Sequence, residues 1–540
     1  MSDPLPPVET FTPEEQARLQ PYVTNLDKPV FALVNMPEVV KGALFARYSR
    51  SLKSVRRLLL DEFIEDLPPP AAAAARAEGH GRAEALYERV FNEYGDDSVA
   101  QLGGVHLACE GVSNLLTKVL ERGRLMAYLE QSTRYVPYSD QVGGKWKYHT
   151  PSELEGGDAE AYGRTLDDAF ATYVRWLEPL KEHYRKRHPR TPDTPAGVYN
   201  RTIQAKALDA LRGLLPAATR SNVGIYGTGQ SYEMLLLRMR SSAVSETRAF
   251  ADLILAELRR VIPSFLTRVD RPDRGGVWSA YFAETDGAVA DATATAVKGM
   301  TCASQPEVAL SGFDPDGELA VVAAALYAGS SLPESQLLER ARAMTDGERA
   351  AVLAACVGRR LNRRHRPGRA FERTRYRFDI LADYGAFRDL QRHRMLSMEW
   401  QALSPQHGFV VADAIEEVGG LDDWRRVMES SADLYARLVT RGYRLAAPYA
   451  VSMAYRIRFY MDMNAREAMH VIELRTAPQG HAAYRRVCQR MHRLIEEQAG
   501  HRAIAAAMQF VNHGEVELER LEAERAIEAK RGAQGGPLPG

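Results

Sequence analysis

The order of apolar and polar positions divides the chain into two cycles of similar content. Residues 1–28 carry no sustained period and read as an N-terminal lead-in. Val30-Phe31-Ala32-Leu33-Val34 is an apolar run of strand length, and helical periodicity follows it to Phe63. Pro68-Pro69-Pro70 and the alanines after it form a linker or a frayed helix start. Between 101 and 121, Val105, Ala108, Val112, Leu115, Leu116 and Val119 recur at helical spacing, which predicts one amphipathic helix. Beyond Tyr138 a polar, glycine-containing insertion covers 139–200, and helices are expected around 203–214 and 230–269. Residues 271–305, with Pro272 and the pair Gly275-Gly276, read as a linker.

A second cycle then begins. Val308 to Gly312 is short and apolar, Asp314-Pro315-Asp316-Gly317 reads as a turn and helix start, and Glu318 to Ala328 is helical. Residues 334–361 predict two charged amphipathic helices, and Glu372 to Leu390 leads to a basic triplet. Asp413 to Tyr443 is helical with a break at Gly419-Gly420, and Val451 to Tyr460 alternates. Helices are expected over 464–475 and 481–497. The tail 514–540 alternates Glu and Arg before a Gly/Pro end and reads as a solvated or partner-facing helix. The order strand, helices, basic triplet, long helix, Arg-x-x-x-Pro, helix thus occurs twice, in repeats over 29–270 and 306–513.

A chain of 540 residues is too long for one core. Its hydrophobic share of 45% and charged share of 26% are those of a soluble globular protein. The 70 Lys and Arg are balanced by 70 Asp and Glu, so nothing global points to nucleic acid and any phosphate binding must be local. Cys109, Cys302, Cys356 and Cys488 form no Cys-x-x-Cys pair, which argues against a zinc site or a disulfide framework and fits a reducing compartment. Met1 to Glu15 is proline-rich and acidic, unlike a signal peptide, and no apolar run approaches the roughly 18 residues of a membrane span. The expectation is a cytoplasmic protein with no metal, no membrane and no nucleic-acid partner.

The candidate chemistry begins at Arg392-His393-Arg394, two guanidiniums and an imidazole that suit a polyanion better than a core. Arg122-Gly123-Arg124 lies 270 residues earlier in similar surroundings. In the helix 464–475, Asn464 and Arg475 fall about 20° apart while Arg466 and His470 share another face, so one helix can present cations to two anionic ligands. Arg212 and Arg444 recur before a proline in both halves, where they either cap the preceding helix or bind. Arg364-His365-Arg366 lacks the flanking context of the other triplets and is treated as a decoy.

These motifs resemble the flavin-dependent thymidylate synthase family (thymidylate synthase-complementing proteins), whose signature is Arg-His-Arg, seven residues, then Ser. In the first half, Asp97-Ser98-Val99-Ala100 is similar to the family's upstream turn, and Glu130, Ser132, Arg134 and Tyr135 to its nucleotide loop. Arg212 matches a nucleotide-binding arginine, but Gly123 replaces the histidine and Gly227-Thr228-Gly229-Gln230 the Asn-Ala-Arg motif. In the second half Arg392, His393, Arg394, Asn464, Arg466 and Arg475 match, while Trp400, Ala402 and Ser404 stand where Glu, Ser and Arg belong.

The resemblance implies an α+β, helix-rich fold in two tandem copies, each with a small antiparallel sheet packed by long helices. It implies methylation of dUMP, or a related pyrimidine nucleotide, to dTMP, with FAD as cofactor and NADPH and methylenetetrahydrofolate as co-substrates. Arg392, His393, Arg394, Asn464, Arg466, His470 and Ser98 would hold the flavin, and Glu130, Ser132, Arg134, Arg212, Arg444 and Arg475 the nucleotide, with Ser132 and Arg475 catalytic. Because family members build each site from several subunits, the complementary losses predict composite sites in a homodimer that acts as a pseudo-tetramer. The rivals are a flavoenzyme of the same fold with another pyrimidine nucleotide or one-carbon donor, and an inactive nucleotide- or flavin-binding protein.

Overall fold

The computed structural model describes residues 5–67, 101, 103–515 and, in the tail, 518, 521 and 525. The turn containing Ser98 and the run that starts at Pro68 lie outside the described residues. The first repeat contains β1 (Val30–Leu33), α1 (Glu38–Tyr48), β2 (Gly104–Ser113), α2 (Asn114–Leu120), β3 (Met126–Glu130), α3 (Gly156–Arg187), α4 (Ala196–Leu211), β4 (Arg220–Thr228), α5 (Gly229–Ser241) and α6 (Ser245–Leu258). A helix α7 (Gly275–Ala296) follows. The second repeat contains β5 (Val308–Phe313), α8 (Gly317–Tyr327), β6 (Arg375–Asp383), α9 (Tyr384–Leu390), β7 (Ser397–Trp400), α10 (Leu421–Thr440), β8 (Arg456–Asn464), α11 (Ala465–Arg475) and α12 (Ala482–Glu497).

The strands form two antiparallel sheets of four, in the orders β1-β2-β4-β3 and β5-β6-β8-β7, so one topology occurs twice. The fold is α+β and helix-rich, as expected. Residues 104–113, expected to be the first part of a helix, are strand β2. That strand is central, and both of its faces are covered. Val105, Leu107 and Cys109 pack with the α5 and α6 side, and Ala108 packs with Phe31, Leu33 and Tyr48 on the other. A strand buried on both faces loses its polar alternation, which let a helical period match by accident. In β6 one face is solvated, and Tyr376, Phe378, Ile380 and Ala382 alternate with Arg375, Arg377 and Asp379.

Two further stretches differ from expectation. The insertion expected over 139–200 contains the 32-residue helix α3. Its Tyr162, Leu166, Phe170, Tyr173 and Leu177 are buried, and it packs along α10 of the other repeat. Arg437 Nε donates to Asp158 Oδ1 at 2.8 Å and Trp176 Nε1 to Asp423 Oδ2 at 2.9 Å, so the insertion clasps the second repeat. The expected linker carries the 22-residue α7, exposed from Ala283 onward.

The repeats meet through their proline segments. Ala217 N donates to Val451 O at 2.8 Å, Met453 N to Leu215 O at 2.9 Å, and Ala454 N to Gly213 O at 3.0 Å. Pro216 faces Ser452 in this antiparallel pair; each stands four residues before its own strand, β4 or β8. A residue opposite its own counterpart marks a local two-fold axis. One continuous core crosses it, uniting Phe170, Leu211 and Leu215 with Phe387, Trp424 and Phe459.

Candidate functional site

Each repeat sends a short helix from the end of its second strand into a turn and then an edge strand. Ser113 caps α2 by accepting from Leu116 N, and Asp383 caps α9 by accepting from Ala386 N, so both helices start at a fixed place. The two turns that follow, 121–125 and 391–396, lie against each other across the local axis.

At one crossing a carboxylate holds the turns together. Glu130, at the end of β3, accepts from Arg388 Nη2 at 2.6 Å and Arg392 Nη2 at 2.8 Å, both from the second repeat. Lys118 Nζ lies 3.3 Å from the same carboxylate and 2.7 Å from Glu121. Burial would raise the Glu130 carboxyl, but the cations of Arg388, Lys118 and Arg392 outweigh it and hold it well below its usual range. At the mirror crossing Trp400 stands in the place of Glu130. Arg122 lies with its guanidinium carbon 5.2 Å from that ring centre and pairs with Glu399, while Arg124 donates to Ser397 Oγ at 3.1 Å. One crossing is ionic and buried, the other aromatic and exposed. Beside the ionic one opens a cavity of about 330 Å³ lined by Arg50, Tyr128, Glu130, Ser132, Arg392 and Arg394.

Behind this cavity the remaining nucleotide candidates gather. Arg134 grips Asp209 with two bonds of 2.8 and 2.7 Å and donates to Tyr484 Oη at 3.0 Å. Arg475 lies 5.3 Å from the same tyrosine ring and donates through Nε to His393 Nε2 at 2.8 Å. Arg212, buried at the end of α4, donates to Asp389 at 3.3 Å. Burial would raise the Asp389 carboxyl, but Arg392, Arg212, Arg475 and Arg134 overcome that and keep it ionised. Four predicted arginines therefore converge on one aspartate. The corresponding place in the first repeat, six residues beyond the helix cap, is Val119. Arg444, expected to match Arg212, is exposed and makes no ion pair with any described residue, so it does not join the cluster; eight residues before β8, the distance of Arg212 from β4, stands Pro448.

The other face of α11 builds a third group. Asn464 is the helix cap, accepting from Glu467 N at 2.9 Å. Arg466 donates to Pro367 O at 3.0 Å and pairs with Glu372 at 3.3 Å. His470 Nδ1 lies 3.0 Å from Arg366 Nη2, and its ring meets that of His393 edge-on at 5.6 Å. Arg366, set aside with its triplet as a decoy, thus touches a residue expected to hold the flavin. Ligand-capable atoms of His393, Glu467 and His470 lie within 4.8 Å of one another, a spacing that suits a cation. The hydrogen bonds argue otherwise. Arg475 and Arg366 donate to the outer nitrogens, which leaves the ring protons on His393 Nδ1 and His470 Nε2. His393 Nδ1 is 3.8 Å from Glu467, whose carboxyl burial pushes up to about 7. Burial and Arg475 hold His393 neutral, and burial with Arg366 and Arg363 lowers His470 to about 4. The group is a pair of imidazole N–H donors beside the Glu467 carboxyl, with both imidazole lone pairs already taken by Arg475 and Arg366.

The structure therefore brings Glu130, Ser132, Arg392 and Arg394 to one cavity. Arg134 and Arg475 meet at Tyr484, Arg475 holds His393, Arg212 lines a separate cavity with Asp209, and Arg466 and His470 contact Pro367 and Arg366. Glu130 of the first repeat thus meets Arg388 and Arg392 of the second within one chain. The Ser132 hydroxyl accepts from Arg134 N at 3.2 Å and shapes its turn. Sequence reasoning missed Lys118, Arg388, Asp389, Asp209 and Tyr484. Lys118 and Arg388 were detectable, because each is the cation five residues beyond the cap of a short, largely apolar helix.

Comparison with known proteins agrees with this geometry. The family model described as thymidylate synthase complementing protein matches residues 47–264 and 310–500, once in each repeat, and the chain belongs to that family. It is a divergent, tandem-duplicated member. The chain is 36% identical over 522 residues to the UPF0159 protein of Chlamydia pneumoniae, covering 96% of this chain and 98% of that one. The UPF0159 protein Ta1429 of Thermoplasma acidophilum is 30% identical, covering 91% and 99%. The flavin-dependent thymidylate synthase of a Mycobacterium species is 30% identical over 185 residues, which is 33% of this chain and 68% of that protein. Among solved structures, the UMP/dUMP methylase PolB of Streptomyces cacaoi, bound with 5-Br dUMP, aligns with a TM-score of 0.31 at 22% identity over 37% of this chain and 94% of its own.

Proposed function

We propose that this chain is a flavin-dependent methylase of a pyrimidine nucleotide, converting dUMP to dTMP with methylenetetrahydrofolate as carbon donor, FAD as cofactor and NADPH as reductant. The observation that carries the reading is the Glu130 ion cluster, which binds the nucleotide loop of one repeat to the flavin triplet of the other. The donor set fits the cofactor. Arg392 and Arg394 face the cavity with Ser132, and His393 and His470 offer neutral N–H groups at its side. Arg392, Arg394, His393 and His470 would hold the flavin, whose reduced form would supply the hydride that completes the transferred methyl group.

This chain's residues do the rest by charge and position. Arg475, oriented by His393 and stacked on Tyr484, supplies a guanidinium for negative charge developing on the pyrimidine oxygen. Arg134 and Arg212 hold the phosphate end, each steadied by an aspartate. Cys488, which feels the charge of Arg475, is no activated thiol, because burial pushes it up to about 12.

The test is release of tritium from C5-tritiated dUMP by purified protein given FAD, methylenetetrahydrofolate and NADPH. Release that is abolished by Arg475→Ala and kept by Arg444→Ala is the expected result. Protein that takes up FAD without releasing tritium favours the rival flavoenzyme, and colourless protein indifferent to FAD favours the inactive binder.

A further inference from the structure

The segment 358–368 forms a strap across the outer side of α11. Its sequence, Gly358-Arg359-Arg360-Leu361-Asn362-Arg363-Arg364-His365-Arg366-Pro367-Gly368, places five arginines within eight residues. One of them is the anchor. Arg360 is buried and grips Glu473 of α11 with two bonds of 2.6 Å, while donating to Ala507 O at 2.7 Å. From the same guanidinium, Nε donates to His365 O at 2.6 Å and Nη2 to Arg363 O at 3.5 Å. Asn362 closes the turn by accepting from Arg364 N at 2.9 Å. At the far end Pro367 O accepts from Arg466. The strap is therefore pinned at its carbonyls, and the side chains of the other four arginines project outward from a fixed backbone.

Those four, Arg359, Arg363, Arg364 and Arg366, pair with no carboxylate among the described residues. Of the acids nearby, Glu473 is engaged by Arg360 and Glu372 by Arg369 and Arg466, while Glu467, the carboxyl that Arg366 acts on, is pushed up to about 7 by burial. Arg366 instead touches a neutral histidine, His470, next to His393. In a chain with no net charge, a rigid group of uncompensated guanidiniums beside a pair of N–H donors is an anion site. The patch is one short turn against the Arg466, His470 and Glu473 face of α11. That extent suits a pyrophosphate better than a nucleic acid, which needs a longer basic stripe.

We propose that the strap binds the pyrophosphate of a dinucleotide cofactor, with Arg363, Arg364 and Arg366 as its cations. None of the three belongs to the motifs that carry the family resemblance. The site deepens the flavin reading but stands apart from it, since its ligand chemistry is shared by flavin and nicotinamide dinucleotides.

The probe is inorganic pyrophosphate, titrated calorimetrically into the full chain. Wild-type protein is expected to bind it, with affinity at least tenfold weaker in the triple variant Arg363→Gln, Arg364→Gln, Arg366→Gln at an unchanged melting temperature. Arg364→Gln alone, at an exposed side chain, gives the same direction should the triple variant fold poorly. Absence of wild-type binding, or equal affinity in the variants, overturns the proposal. So does a single-stranded RNA that binds through these arginines while pyrophosphate does not. Repeating the titration with FAD against riboflavin and with NADPH separates the two sources, because only the source that uses the strap weakens in the variant. Strap-dependent pyrophosphate binding without tritium release from dUMP would defeat the methylase reading and leave this one intact.

Discussion

Glu130 is where a single side chain matters most. Its carboxylate has no exposure and meets three cations, so Glu130→Gln strands Arg388, Arg392 and Lys118 without their anion. Breaking a buried pair on one side costs about 3–5 kcal/mol, and chemical denaturation of the variant should show a loss of that order. Glu467 carries the opposite sign. Burial raises its carboxyl to about 7, above the unfolded value near 4.5, so the native state keeps the proton longer than the unfolded one. Its contribution is intact below pH 4.5 and is lost as pH rises through 7. Glu467→Gln should therefore match wild type at pH 4.5 and exceed it at pH 8, by about 2 kcal/mol. Melting temperatures across that range check it, and a variant that gains nothing at pH 8 would remove the buried acid from the site's description.

Among the elements, the short helices after β2 and β6 do the positioning, and their first turns have no room to spare. A Cβ at Gly385, the second residue of α9, would meet Arg212 Nε at 2.8 Å and Cζ at 2.9 Å. Gly385→Ala must push that buried guanidinium away from Asp389, for a loss of about 1–3 kcal/mol in stability. Urea titration measures it, and a neutral result would show that Arg212 can shift freely. The same element scale shows what the sequence leaves ambiguous. Helices α10 and α12 have one solvated face, and their apolar period announced them to within about three residues. Strand β2 and helix α3 were missed for different reasons. The first is covered on both faces, and the second carries so many charges outside its Tyr162–Leu177 stripe that it reads as a polar insertion.

Across the whole molecule, the two repeats share a core and an antiparallel backbone pair, so neither has a complete surface alone. The full chain should unfold in one cooperative step by both fluorescence and circular dichroism, with two separated transitions as the result that would contradict a shared core. The same union explains why a duplicated chain tolerates degenerate motifs. The crossing that kept Glu130 is ionic, and the crossing that holds Trp400 retains only a cation over a ring. Selection on one crossing leaves the other free to drift.

From the order of residues alone came the duplication, most of the helices, the family likeness and most of the arginines that cluster. Those follow from local periodicity and from residue types too costly to bury without partners. Which carboxylates answer the arginines was decided only by the tertiary structure. Asp209, Asp389 and Glu467 carry no local mark of the arginines they meet, and Arg366 touches His470 because Arg360 pins its strap to α11. Ion pairs join residues far apart in the chain, and their geometry exists only once the two repeats have closed on their common axis.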